Sequence, residues 1–380
     1  LKIPGKVAFN ALVWNMRPSG VQYYCQRLLA AFDTIDLTGL SIDVLVPEDY
    51  DGTVPRSRNM RIIRVSVPAV MPLRRITFEN FCLPKELKKQ EVRLYHAPNY
   101  ILPVTLQLPA IVTVHDLISL KSPQLVQTGS FFYHWLLQRR TLKNAIGIIA
   151  VSNAVKNELV SQFHVPVRKI SVIPNGVTKD FATIVPAERL AEVKARYKLP
   201  EKYLLFVGNI EPKKNLISLL QALGHSRENS GVRHKLVIAG QVGWKSAKLF
   251  SVIASLKLHD DVILTGYIPE RDLPAVYAQA ALFVFPSLDE GFGIPPLEAM
   301  AAGIPVITSN RGALPEVTGG HCTMVNPLDI ATLSTNIDTL VRTRNTPVLA
   351  AAKEWTKKFD WSTIAQNTAT LYRQLLASQA

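Results

Sequence analysis

Two carboxylates, Glu290 and Glu298, stand eight positions apart in "PSLDEGFGIPPLEAMAAGIPVITS", residues 286 to 309, with Gly291, Gly293 and a Pro-Pro step between them. The run "ALFVFPS" reads as a buried strand, Leu288 to Ile294 as the loop at its carboxyl end, and Pro295 as the first turn of a short helix that Gly303 caps. In an open α/β sheet, ligands collect beyond the carboxyl ends of strands, where a helix N-terminus offers free N–H groups and partial positive charge. Phosphate suits such an end. Glu298, read as lying in the first turn, and Glu290, in the loop before it, cannot be there to attract an anion; as acceptor-only groups they suit sugar hydroxyls. Gly291 and Gly293 let the backbone approach the same sugar. Taken singly, a Glu near a helix start is often only favourable with the dipole and a Gly-x-Gly only a turn; the combination carries the signal.

The elements that must position these groups are legible as alternating short apolar runs and helical patterns. In the first half "KVAFNALV", "SIDVLVP", "RIIRVSV", "RLYHA", "AIVTVHD", "AIGIIAVS" and "ISVIPNG" read as strands, with helices over Val21 to Phe32 and Asn153 to Phe163. The second half repeats the pattern with "YLLFVGN", "HKLVIAG", "DVILTGY", "ALFVFPS" and "PVITSN", and helices near 215 to 224, 245 to 257, 270 to 280 and 295 to 302. This predicts two doubly wound α/β domains with a cleft between them, which suits 380 residues of 48% hydrophobic content. The boundary falls in the polar stretch Thr178 to Pro186, before a helix over Ala187 to Tyr197. The final "WSTIAQNTATLYRQLLASQA" predicts a helix with Ile364, Thr368, Leu371, Leu375 and Leu376 near one face.

Charge is uneven. Residues 1 to 180 hold 22 Lys and Arg against 12 Asp and Glu, so they carry +10 of the net +14. Arg56 to Arg93 alone contains ten basic and three acidic residues, interleaved with apolar groups in "ITFENFCLPKEL". A solvated helix face, nucleic-acid binding and docking on anionic lipid are all open to such a run. No recognised nucleic-acid module accompanies it. Cys25, Cys82 and Cys322 are widely spaced and read as reduced core residues of a cytoplasmic protein. Neither a signal peptide nor a transmembrane span is expected. Asp49-Tyr50-Asp51, followed by Gly52, reads as a solvated turn.

"DEGFGIPPLEAMAAGIPVI" resembles the Glu-x7-Glu signature of retaining glycosyltransferases of family 4, and the resemblance runs through nearly the whole chain. "PSGVQYYCQRLL" is similar to the family's first glycine loop and helix, "VTVHDL" to its His segment, and "AVSNAVKNEL" and "VIPNGV" to the elements before the linker. "FVGNIEPKKNL" is similar to the phosphate loop of the second domain and "LTGYIPERDL" to the loop that holds the base. The resemblance implies the GT-B fold: two Rossmann-like doubly wound domains facing across a cleft, 1–178 for the acceptor and 187–360 for the nucleotide sugar, with a C-terminal helix, 361–380, packing back on the first.

It also implies roles. His115, Glu290 and Lys214 would be catalytic, with His115 touching the transferred sugar, Glu290 binding its hydroxyls and Lys214 neutralising the diphosphate. Gly20, Asn209, Lys213, Gly240, Tyr267, Ile268, Gly291, Phe292, Gly293, Ile294, Leu297 and Glu298 would complete the donor site, Glu298 taking the ribose. Many members have Gly-Arg-Leu where this chain has Gly208-Asn209-Ile210, which leaves Lys213 to replace the missing arginine. Without the family, His115 reads more readily as a structural histidine and the two lysines as solvated loop. No metal or other cofactor is called for, since lysines and helix dipoles can hold the leaving group.

The "EPKKN" form of the phosphate loop is similar to mannosyl- and rhamnosyl-transferring relatives of bacterial surface polysaccharide (lipopolysaccharide) synthesis. GDP-mannose is therefore the expected donor, and a saccharide on a polyprenyl diphosphate the expected acceptor. Arg74, Arg75, Lys85, Lys88 and Lys89, with Ile76, Phe78 and Phe81 as shallow anchors, would dock the enzyme peripherally on the anionic inner face of the cytoplasmic membrane. The same fold leaves open a nucleotide-sugar epimerase or a phosphorylase-like enzyme.

Overall fold

The computed structural model describes residues 5–14, 20–55, 58–67, 72–121, 131–243, 246–343 and 346–379. They form two compact units, Leu1–Gly176 with Phe359–Ala380, and Val177–Lys358. The first unit has seven parallel strands: β1 (Gly5–Asn10), β2 (Leu40–Pro47), β3 (Met60–Val65), β4 (Leu94–Ala97), β5 (Ala110–Val114), β6 (Gly147–Ala150) and β7 (Ile170–Val172). Their spatial order is β3-β2-β1-β4-β5-β6-β7. Between them run α1 (Gly20–Phe32), α2 (Pro72–Phe81), α3 (Leu83–Lys89), α4 (Ile118–Lys121), α5 (Phe131–Asn144) and α6 (Asn153–Ser161). Strands covered by helices on both faces bury nearly every side chain, which is why β5 and β6 are near-continuous apolar runs and why Asn10 of β1 and His96 of β4 are buried too.

The second unit opens with α7 (Ala187–Tyr197) and continues β8 (Leu204–Val207), α8 (Leu216–Ser230), β9 (Leu236–Ala239), α9 (Ala247–Ser255), β10 (Val262–Gly266) and α10 (Leu273–Ala278). It closes with β11 (Leu282–Phe285), α11 (Ile294–Ala301), β12 (Val306–Ser309), α12 (Leu314–Thr318), β13 (Thr323–Val325), α13 (Ile330–Leu340) and α14 (Thr346–Thr356). The parallel sheet runs β10-β9-β8-β11-β12-β13. Its sixth strand, β13, has no counterpart among the expected runs: Thr323-Met324-Val325 ends at Asn326-Pro327, whereas the equally short β7 runs on into apolar Ile173.

The last helix, α15 (Trp361–Ala377), belongs to the first unit. Asp360 caps it, accepting from the N–H groups of Ser362 and Thr363. Its Trp361, Ile364, Ala365, Ala369, Tyr372 and Leu376 join the core formed by β1, β2 and α1. Three glycines make room for it. A Cβ on Gly176 would stand 2.7 Å from the Trp361 ring, one on Gly5 2.5 Å from Leu376, and one on Gly147 2.9 Å from Leu375.

Three expectations change. The stretch Thr178 to Pro186 is not a free linker: Lys179–Ala182 forms a 3-10 turn, and Phe181, 3% exposed, lies with its ring centroid 5.4 Å from that of Tyr277. The chain therefore leaves the first unit at Gly176 and returns at Phe359. Of the three free cysteines only Cys25 is a core residue; Cys322 is half-buried, and Cys82 is exposed between α2 and α3. In the basic run, Arg61 forks onto Asp43 at 3.0 and 2.8 Å, and Arg64 donates to the carbonyls of Glu48 and Tyr50 at 3.3 and 2.7 Å, so both serve the fold. Arg56 lies outside the described residues.

Candidate active site

In the second sheet the winding reverses between β8 and β11, and loops leaving two such strands part to open a crevice at their carboxyl ends. After β8 the chain passes Gly208 and Asn209 into the 3-10 turn Pro212–Lys214; after β11 it passes Ser287 to Gly293 into α11. The loops are fastened to each other. The Leu288 N–H donates to the Lys213 carbonyl at 2.8 Å. The Asn215 amide, on a left-handed residue with φ 55°, donates to the carbonyls of Pro286 and Pro327 at 3.1 and 2.8 Å.

This latch brings together the two groups that sequence set 76 positions apart: Lys214 Nζ lies 2.5 Å from Glu290 Oε1. The ammonium also sits 4.8 Å from the Phe285 ring centroid. Their side chains are only 14% and 10% exposed, so each charge depends on the other for its stabilisation. Behind Glu290, Ala313 N–H donates to its carbonyl at 2.9 Å, and a Cβ on Gly312 (φ 58°) would be 2.5 Å from that same oxygen.

Glu298 is placed differently from expectation. α11 begins at Ile294 with Gly293 (φ 114°) as its cap, so Glu298 is the fifth residue and no acid lies in the first turn. The helix begins before Pro295 because Pro295 and Pro296 fall where N–H groups have no partner within a helix and proline costs nothing. For the same reason this N-terminus offers an anion fewer donors than an ordinary one, which leaves more of the charge to lysine. Glu298 is 4% exposed, and its Oε2 accepts from the buried Tyr277 hydroxyl at 2.9 Å.

Around this centre, Phe292 and Leu297 are buried, Ile294 and Lys213 half-buried, and Asn209 exposed. Tyr267 is 44% exposed beyond β10, next to buried Ile268. Gly240 has a packing reason of its own: a Cβ there would stand 1.9 Å from the Gly208 carbonyl oxygen. Tyr277, Asn215 and Gly312 were not singled out from sequence. Only Gly312, following Asn-Arg after a strand, carried a turn signal.

The remaining two site residues belong to the first unit. Gly20 opens α1 with open space where a Cβ would go; the Pro18 and Ser19 before it lie outside the described residues. His115 follows β5, its ring centroid 4.8 Å from that of Tyr24 on α1. Burial pushes the His115 pKa down to about 4, against smaller opposing effects of Asp116 and the Pro98 carbonyl, so the imidazole is neutral near pH 7. Its Nε2 is buried without a hydrogen-bond partner, a condition that costs about 1–3 kcal/mol and that a ligand hydroxyl would relieve. Behind it the Tyr24 hydroxyl bonds Thr113 at 3.2 Å, Thr113 bonds His96 Nε2 at 2.8 Å, and His96 Nδ1 bonds the Tyr372 hydroxyl of α15 at 2.6 Å. Burial lowers the His96 pKa to about 3.

Residues 190–356 match the family described as "Glycosyl transferases group 1", and residues 18–181 the family described as "Glycosyltransferase Family 4". O-antigen chain mannosyltransferase B of Escherichia coli is 32% identical over 285 residues, 74% of this chain and 74% of the relative. The chain belongs to the family 4 glycosyltransferases.

This glycosyltransferase is also 30% identical over 274 residues to the serotype-specific mannosyltransferase WbdA of Escherichia coli, covering 70% of the chain but only 34% of that longer protein. The sucrose-phosphate synthase of Thermosynechococcus elongatus superposes with a TM-score of 0.78 at 21% identity, over 98% of this chain and 99% of that one. The two doubly wound parallel sheets are those of the GT-B fold. No helix among the described residues is long and apolar enough to cross a membrane.

Proposed function

We propose that this glycosyltransferase moves a mannosyl group from GDP-mannose to a saccharide acceptor, with retention of configuration and without a metal ion. The Lys214–Glu290 pair at the switch point of the second sheet carries the reading. When the donor enters, its diphosphate takes Glu290's place beside Lys214, and the freed Glu290 carboxylate accepts hydrogen bonds from sugar hydroxyls. Lys213 supplies the charge that an arginine at Asn209 would bring, and Glu298, fixed by Tyr277, accepts from the ribose. Gly20, Gly240, Tyr267, Ile268, Gly291, Phe292, Gly293, Ile294 and Leu297 shape the rest of the donor site. His115 Nε2 makes one uncharged hydrogen bond to the transferred sugar.

In the reaction the bond between the anomeric carbon and the diphosphate oxygen breaks, and the acceptor hydroxyl oxygen bonds the same face of that carbon. The hydroxyl proton passes to the departing diphosphate oxygen. Developing negative charge on that oxygen is what Lys214 stabilises. A carboxylate nucleophile is not part of the scheme, because the freed Glu290 is engaged by the sugar hydroxyls.

The acceptor is assigned as a glycan on a polyprenyl diphosphate, reached at the inner face of the cytoplasmic membrane. Arg74, Lys85, Lys88 and Lys89 are exposed on α2 and α3, and Phe81 is 64% exposed beside them. Arg75, Ile76 and Phe78 are half-buried, so the apolar anchor reduces to Phe81. The deciding experiment offers GDP-mannose, UDP-sugars and dTDP-sugars with a lipid-linked acceptor, with and without EDTA, and follows nucleotide release and the anomeric configuration of the product. Preference for a donor other than GDP-mannose, inversion, or EDTA loss restored by Mg²⁺ would each overturn the corresponding part.

A further inference from the structure

We propose that the first unit carries a second anion site, a phosphoryl-binding pocket at the amino edge of its sheet. A cavity of about 470 Å³ lies where the end of α5 meets residues 162–169, ahead of the first residues of β6 and β7. Strands of this sheet are parallel, so this is the edge opposite to the one that His115 follows. Arg139, Lys143, Phe163, His164, Arg168 and Lys169 line it, with no Asp or Glu among the lining residues.

One of these cations has an ordinary explanation. Lys169 Nζ donates to the carbonyls of Lys143 and Ala145 at 3.0 and 2.9 Å, closing the end of α5 as basic groups commonly do. Arg139, Lys143 and Arg168 have none of that kind. The acid of α6, Glu158, is engaged by Lys121 at 2.5 Å. The Arg139 guanidinium is held 4.3 Å over the Trp135 ring and 5.8 Å from that of Phe163, which fixes its plane before any ligand arrives.

Three cations converging on one concavity without a counter-charge repel one another, and a compact dianion relieves that repulsion. A held guanidinium fork matches two oxygens of a phosphoryl group, and the lysine and second arginine supply point charge to the others. The volume falls within the range of small-molecule pockets and exceeds what a lone inorganic ion fills. The ligand class is a phosphate monoester or diphosphate on a larger body, either a soluble phosphorylated compound or an anionic lipid headgroup.

The test uses the full chain with Lys213→Gln and Lys214→Gln to silence the donor site, titrated calorimetrically with inorganic diphosphate. Adding Arg139→Gln, Lys143→Gln and Arg168→Gln, all exposed positions, should weaken binding by at least about tenfold. Arg139→Lys, which keeps the charge but loses the fork, should weaken it several-fold. A parallel arm carries Arg74, Lys85, Lys88 and Lys89 changed to Glu in the same proteins, to silence the α2–α3 surface, and sediments them with phosphatidylcholine vesicles containing phosphatidic acid. Binding to diphosphate alone that the triple change removes assigns a soluble ligand, and vesicle binding that it removes assigns a headgroup. Binding left intact by the triple change, or by Arg139→Lys, overturns the site, as does absence of binding in both arms.

Discussion

Replacing Lys214 by Met would strand the Glu290 carboxylate in a place where its side chain is 10% exposed and its 2.5 Å partner is gone. Breaking a buried ion pair by removing one partner costs about 3–5 kcal/mol; with both groups still touching solvent, the lower end, about 3 kcal/mol, is expected. For a domain of this size that is a fall in Tm of roughly 6–12 °C. Glu290→Gln should cost less, about 1–2 kcal/mol, because the Lys214 ammonium keeps its place near the Phe285 ring and can reach water. The double variant removes both charges together. It should recover at least about 1.5 kcal/mol relative to the sum of the two single changes, a coupling well above ordinary additivity error. Thermal unfolding of the four proteins measures this, and transfer assays on the same samples separate fold from chemistry. All three variants should transfer at least about tenfold more slowly than wild type, including the double variant that is again well folded. If the single losses simply added, the pair would not be an energetic unit; if the double variant regained transfer, neither charge would have the chemical role assigned to it.

Acid should destabilise the first unit before its carboxylates titrate. His115 and His96 have folded pKa values of about 4 and about 3, below the unfolded value near 6.5, so below pH 6.5 the unfolded chain takes up protons that the folded one refuses. Tm should fall as pH drops from about 6.5 toward 4, and His115→Gln should flatten the slope; a Tm that rises over this window would contradict the burial of both rings. Gly20→Ala should fold as well as wild type, because its Cβ meets nothing within 4 Å, yet slow transfer at least about tenfold if a ligand approaches that backbone. Normal turnover in this variant would remove Gly20 from the site. Arg74, Lys85, Lys88 and Lys89 changed to Glu should sharply weaken salt-sensitive sedimentation with anionic vesicles, each cation contributing roughly 1 kcal/mol near the surface. Sedimentation unaffected by salt or by these changes would leave the run as ordinary surface charge.

Where the sequence was readable, and where it was not, follows from what each signal measures. The strands appear as apolar runs even at the half-exposed edges β3, β7 and β10, so β1 to β12 stand out, whereas β13 is three residues cut short by Asn326-Pro327. Spacing places Glu290 and Glu298 on one loop and helix, but the helix start depended on how Pro295 and Pro296 shared unpaired positions, and Pro295 alone suggested a start one residue too late. The Thr178 to Pro186 stretch is polar enough to pass for a linker, and the single apolar residue that contradicts this, Phe181, finds its partner Tyr277 almost a hundred positions away. Tyr277's hold on Glu298, across 21 positions and a strand, is likewise absent from any local pattern. Periodicity and motif spacing report local structure; contacts fixed by tertiary packing leave no local trace.

The return of α15 sets an order of assembly. During synthesis the second unit, contiguous from Val177 to Lys358, emerges ahead of Trp361 to Ala377, the segment that the first unit still lacks. At about 5–20 residues per second, roughly 10–40 s separate the appearance of Gly176 from that of the last turn of α15. Through that interval the faces of β1 and α1 that Ile364, Tyr372 and Leu376 will cover remain wet and apolar. The unit that is translated first is therefore the one completed last, and those faces, not the donor side, are what a nascent-chain chaperone has to shield.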